Sequence, residues 1–219
     1  MSYHLETALL LTVLVMPLVA ALSRFRWLDS ASKVLVGLVV VAFVTEVIAT
    51  YSSLTKRSNI LTYIISGFVQ LLLVCLYLEL SIGGWIRRYH IGTGIGLAAS
   101  AYSIYSMLYL QGGDAINTNF QVIGQTTVIL LGIVQLVRLV GSNWGWNIWN
   151  NPHFSFGIIL ISSSCCLLFY LLSYQTFSSL LHGNTKWLDL GLLYTNILGY
   201  LFISLIFFRY PKMIRSNGH

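Results

Sequence analysis

Charge is what this sequence lacks most. Charged residues make up 8% of its 219 positions, against 57% hydrophobic ones. A small soluble domain covers itself with roughly 25–35% charged side chains, so a water-facing exterior is excluded. Proline is nearly as rare, at three residues, and no Ser/Gly/Pro-rich linker interrupts the chain. A single domain over 1–219 is therefore expected. Cysteine is limited to Cys75, Cys165 and Cys166. All three fall in apolar runs, where buried small residues are the ordinary reading and neither a disulfide framework nor a metal spacing can be built. The histidines (His4, His90, His153, His182 and His219) sit at ends, loops or tails, which argues against haem held between helices. No lysine lies deep in a run to attach retinal. H-E-x-x-H, G-x-S-x-G and paired carboxylates within a run are also missing. No enzyme chemistry, metal or cofactor is expected.

What is present is apolar length. Helices are predicted near 6–22, 34–54, 60–81, 91–110, 120–140, 155–176 and 188–208. Each approaches the roughly 20 residues needed to cross a ~30 Å hydrocarbon core. The expected fold is all-α, a polytopic membrane protein of seven transmembrane helices with connections too short for a soluble domain. The first run follows Met-Ser-Tyr-His-Leu-Glu. It has no basic leader and no A-x-A-like cleavage site, so it reads as a retained span. Arg24, Arg26, Lys33, Arg87, Arg88, Arg138, Arg209, Lys212 and Arg215 fall on one side, and only Lys56, Arg57 and Lys186 on the other. The positive-inside rule then puts the amino terminus outside and the carboxyl terminus in the cytoplasm, in a bacterial inner membrane. The net charge of +6 reads as this topology signal plus attraction to anionic headgroups, so the lipid bilayer is the expected partner and nucleic acid is not.

Local punctuation adds detail. Segment 142–152 carries Trp144, Trp146 and Trp149 in the longest stretch without helical character, and Pro152 suits a helix start. Pro17 should kink the first helix. Gly92, Gly96 and Ser100 recur every four residues, a small-residue stripe that admits a close neighbour. Tyr51-Ser52-Ser53-Leu54 and Phe177-Ser178-Ser179-Leu180 hint at an internal repeat.

Ionisable groups within a span are costly and usually functional. Only Glu46 lies well inside. Its neighbours Ala42, Phe43, Ala49 and Thr50 form a smaller, more polar face than Val40, Val44, Val47 and Ile48, so it should point into the bundle. Tyr63, Ser66 and Gln70, then Tyr102 and Tyr105, then Gln125, Tyr170 and Asn196 supply polar stripes on other helices. Together with Glu46 they predict an outward-facing polar and aromatic cavity for a small ligand. The same residue types also bind helices together, at about 0.6 kcal/mol per hydrogen bond. The inner half reads as mainly Leu, Val, Ile and Phe. Near its end an ion pair between Glu79 and Arg138 is expected.

Glu46 to Tyr51, Asn59, and Asn151-Pro152-His153-Phe154 opening a helix together resemble small seven-helix bacterial membrane sensor modules, as in the membrane part of some histidine kinases. The resemblance implies a receptor-like role. Only a short tail follows Phe208, so the signal would pass to a separate partner, docked on Trp144, Trp146, Trp149, Arg209, Lys212 and Arg215. A small polar-solute transporter and a non-catalytic subunit of a larger membrane complex are the alternatives.

Overall fold

The computed structural model describes residues 3–55, 59–106, 109, 118–141, 145–177 and 186–216. Among them run α1 (Tyr3–Arg24), α2 (Ser30–Leu54), α3 (Ile60–Ile82), the short α4 (Gly84–Arg88), α5 (Ile91–Ser106), α6 (Thr118–Gly141), α7 (Pro152–Phe177) and α8 (Lys186–Ser216). The fold is an all-α bundle. Six helices, α1, α2, α3, α6, α7 and α8, are long and apolar enough to cross a membrane. Helix α5, expected over 91–110, is described over Ile91–Ser106.

The helix starts follow from capping chemistry. Asp29 precedes α2, and its carboxylate accepts the Ser32 N–H at 2.8 Å. This N-cap satisfies a first-turn donor and starts the helix at Ser30, ahead of the expected residue 34. Asn151 does the same for α7, accepting the His153 N–H at 2.9 Å. Pro152 takes the first helical position, where its missing N–H is harmless. Segment 145–150, expected to be irregular, forms a 3₁₀ turn. At the other extreme α8 continues through Pro211 to Ser216, so most of the supposed tail is helix. Tyr210, 1% exposed, anchors that last stretch in the core.

The packing closes a ring in the order α1, α2, α3, α6, α7, α8 and back to α1, with α5 laid against α3 and α6. The glycine stripe does what its spacing predicts. A Cβ at Gly92 would stand 2.9 Å from the Cys75 carbonyl oxygen, and one at Gly96 3.2 Å from the Cys75 Cβ. Helix α5 therefore rests on the backbone of α3. Helix α2 likewise turns Ala42 and Ala49 inward and Val40, Val44, Val47 and Ile48 outward. Leu130, Val137, Phe169 and Phe202 are exposed on other helices, giving the bundle an apolar exterior. Cys75 is buried, whereas Cys165 and Cys166 are exposed, contrary to their expected burial.

The apolar core is concentrated at one end of the ring. Leu28, Leu35, Val74, Leu78, Ile82, Phe156 and Phe207 all belong to it. This is the end where α1 meets α2, where α3 turns into α4, where α7 begins and where α8 finishes. Trp27, Trp85 and Trp149 are exposed there, in keeping with an indole belt at a membrane interface.

Candidate functional site: a polar lock at the Asp29 end

The most connected polar cluster lies where the sequence reads as mainly aliphatic and aromatic side chains. Gln135 of α6, 0% exposed, directs its Nε2 at the Tyr77 hydroxyl (3.2 Å), the Ser81 Oγ (2.8 Å) and the His153 carbonyl (3.4 Å). Tyr77 of α3 is also fully buried. Its hydroxyl lies 3.4 Å from His153 Nδ1, and His153 Nε2 lies 3.0 Å from Asp29 Oδ2. Approaching from the other side, Tyr210 of α8 donates to Asp29 Oδ1 at 2.8 Å, and Ser32 of α2 donates to the Tyr210 hydroxyl at 3.0 Å.

The partners fix the direction of the run. Because Tyr77 receives the Gln135 amide, its own proton has an acceptor only if His153 Nδ1 offers a lone pair. His153 Nε2–H then donates to Asp29, an assignment made from the network. One path of donors thus runs from Gln135 to Tyr77 to His153 to Asp29, with Ser32 and Tyr210 converging on the same carboxylate. Hydrogen bonds aligned in this way polarise one another. Beneath them the Tyr77 ring meets Phe156 edge-on at 6.3 Å, and Phe156 packs on Phe207 at 5.3 Å. The lock ties together the start of α2 and helices α3, α6, α7 and α8.

Asp29 is where this run reaches solvent, its side chain half-exposed. Burial pushes its carboxyl up. The hydrogen bond from His153, with those from Ser32, outweighs that and holds it well below the usual carboxylate range. A carboxyl depressed in the folded state stabilises the fold above its unfolded value, near 4. That contribution is lost as pH falls through the folded value. Acid titration of unfolding should show stability draining away below about pH 4. Asp29→Asn should be less stable at neutral pH and should flatten that acid limb; an unchanged limb would remove Asp29 from the account.

A second cluster adjoins the first. Glu79, 1% exposed, accepts the Thr93 N–H and the Thr93 hydroxyl, each at 2.8 Å, and lies 2.9 Å from His90 Nδ1. It therefore caps α5 from α3. His90 holds a φ of +51°, a left-handed conformation that strains a non-glycine residue, at the turn that brings its ring to Glu79. The expected Glu79–Arg138 ion pair does not form. The Arg138 guanidinium lies over Gly84 instead, 2.6 Å from where a Cβ would stand, and Gly84 has a φ of +56°.

The expected ligand residues distribute differently. Glu46 is half-buried on α2, and the Tyr63 hydroxyl of α3 approaches its Oε2 at 3.5 Å. Ser66 is buried and donates to the Tyr63 carbonyl at 3.1 Å. Gln70 and Gln125 are half-buried. Tyr102 and Tyr105 are exposed on α5, which packs on α3 and α6 rather than α2. Tyr170 donates to Asp189 Oδ1 at 2.9 Å, joining α7 to α8, and Asn196 is exposed. The structure thus unites Glu46 with the Tyr63–Ser66 turn and leaves Tyr102, Tyr105 and Asn196 on the outside of the bundle. Of the docking residues, Trp149 is exposed and stacks edge-on against Phe154 at 5.1 Å. Arg209 is exposed, while Trp144 and the side chains of Trp146, Lys212 and Arg215 lie outside the described residues. Among the described residues no group of three or more His, Cys, Asp or Glu is placed to hold a metal.

Tyr77 and Gln135 belong to polar stripes visible in the sequence, but Asp29, His153 and Tyr210 do not. The available signals were the Asp-Ser-Ala-Ser cap and the Asn-Pro-His start, both of which mark helix ends without saying that the ends meet. No family model, no curated protein and no solved structure matches this chain.

Proposed function

We propose that this chain is a receptor-like or regulatory integral membrane protein whose switched element is the lock at the Asp29 end. In this reading it has seven spans, its amino terminus is outside, and the lock lies near the cytoplasmic face of a bacterial inner membrane. A small polar ligand, or a partner's segment, meets Glu46 and Tyr63 from the far side. Binding biases one of two helix arrangements, and a partner at the cytoplasmic face reads the difference. The observation that carries the reading is the directional hydrogen-bonded run joining five helices at one end. The Gln135 Oε1 atom supports it further: it is buried without a partner in this arrangement. A second arrangement that satisfies that acceptor would compete with this one. The Asn151–Phe154 resemblance to sensor modules adds weight, since His153 is both in that motif and at the centre of the lock.

The same residues do not favour an enzyme. In a carboxylate–imidazole–hydroxyl series the hydroxyl would be the nucleophile, and the Tyr77 hydroxyl is sealed inside the core. A polar-solute carrier is the second reading, favoured by the Glu46–Tyr63 pair.

Reconstitution separates the two. Proteoliposomes containing only this protein should pass labelled sugars, amino acids and vitamins no faster than empty vesicles. In native membranes, Tyr210→Phe should change which proteins cross-link to the Trp149 region. Flux that Glu46→Gln abolishes would establish the carrier and overturn the receptor reading; a fixed-stoichiometry complex indifferent to Tyr210→Phe would make the chain a passive subunit.

A further inference from the structure

An open groove of about 600 Å³ runs between α7 and α8 on the outside of the bundle. Ile158, Leu198, Phe202 and Leu205 give it apolar walls, and Trp149 and Arg209 stand at one end. A second segment of about 490 Å³ shares Cys166 and Thr195 with the first and carries the groove onward past Phe169. Thr195 donates its hydroxyl to the Gly191 carbonyl at 2.9 Å, so that polar atom is satisfied within its own helix.

Two features decide what fits. Arg209 is exposed and makes no ion pair among the described residues, so the groove ends in an unanswered positive charge beside an exposed indole. Its length is the second. Thr195 and Arg209 are 14 positions apart on α8, about 21 Å at 1.5 Å per residue. One leaflet of the hydrocarbon core is about 15 Å deep. The charge asks for an anionic head, and an apolar tail one leaflet long fits within the groove with length to spare. We propose that this groove binds an anionic phospholipid, its phosphate on Arg209 beside Trp149 and one acyl chain lying between α7 and α8 toward Thr195. The arrangement is independent of the receptor reading and would serve a carrier or a subunit equally well. Anionic headgroups concentrate where basic side chains do, and Arg209 shares its end of the bundle with the basic residues that precede α2.

The test uses the whole protein, reconstituted in vesicles of equal phosphatidylglycerol and phosphatidylethanolamine, extracted gently and weighed by native mass spectrometry. One phosphatidylglycerol should stay bound. Arg209→Gln should lower its retention about tenfold, the loss of a single charge-assisted contact of ~1.4 kcal/mol. Arg26→Gln, which removes a cation at the same end but outside the groove, should leave retention unchanged. Gly199→Leu probes the tail alone. A Cβ there meets nothing closer than the Ser163 Oγ at 3.5 Å and Gly199 lines the groove, so the added side chain should occupy groove space and retention should fall with the charge intact. Circular dichroism and gel filtration confirm that each variant is folded. Equal losses in Arg209→Gln and Arg26→Gln would reduce the effect to general surface charge and overturn the proposal. A dimer cross-linked through Cys166 that retains no lipid would give the groove to a second copy instead.

Discussion

Glu79→Ala should lower the stability of the bundle by about 3 kcal/mol, with the damage centred on α5. The carboxylate sits at 1% exposure on α3 and accepts both the backbone and the side chain of Thr93. Thr93 lies in the first turn of α5, where backbone N–H groups have no partner within the helix. Hydrogen bonds to a charged acceptor contribute about 1.5–3 kcal/mol each, and bonds sharing one carboxylate are not additive. The His90 contact adds little, because that ring is 78% exposed and solvent screens it. Glu79→Gln keeps an acceptor for Thr93 and should lose only about 1 kcal/mol. Unfolding in mixed micelles measures both. An alanine variant within 1 kcal/mol of the parent would mean that Glu79 does not hold α5 in place.

His153→Ala is the second large effect, at about 2–3 kcal/mol. Removing the ring separates Asp29 from Tyr77, empties a mostly buried volume, and leaves the Tyr77 hydroxyl without its acceptor in a site closed to water. It should also weaken the hold that keeps the Asp29 carboxyl low, so the loss of stability below about pH 4 should be shallower than in the parent. Loss of stability with an acid limb as steep as the parent's would point to packing alone. The flattened limb is the signature of the hydrogen-bonded path.

Much of the fold could be read in advance. Apolar runs of the right length, the Gly92–Gly96–Ser100 stripe, the start of α7 at Pro152 and the inward face of α2 all depend on local spacing, which a sequence displays directly. The lock depends on something else. Asp29, Tyr77, Gln135, His153 and Tyr210 are polar residues at or near helix ends, and each has an ordinary local explanation as a cap, an interface residue or a loop residue. Only the closing of the ring places these ends in contact. Glu79 illustrates the same limit: Arg138 looked like its natural partner by charge, but the left-handed turn at His90 brings a nearer ring and an open helix terminus. The candidates around Glu46 dispersed because α5 packs outside the ring. Its tyrosines follow the helical period, and that period says nothing of which helices a face will meet. The extension of α8 through Pro211 was missed because proline usually ends a helix.

The account stands on the lock holding the helix ends together while remaining able to open. Electron–electron distance measurements test this directly, with spin labels at Trp27 and Trp149, both exposed at the Asp29 end, in a chain whose three native cysteines are replaced. A control pair at Leu54 and Tyr194, also exposed, reports the opposite end. The parent should give one narrow distance for each pair. Combining His153→Ala with Tyr210→Phe should move or broaden the first by about 2–5 Å, the scale of helix shifts in switching proteins, and leave the second unchanged. Identical distributions at the Asp29 end, in a variant that remains folded, would contradict the claim that these hydrogen bonds set the helix arrangement.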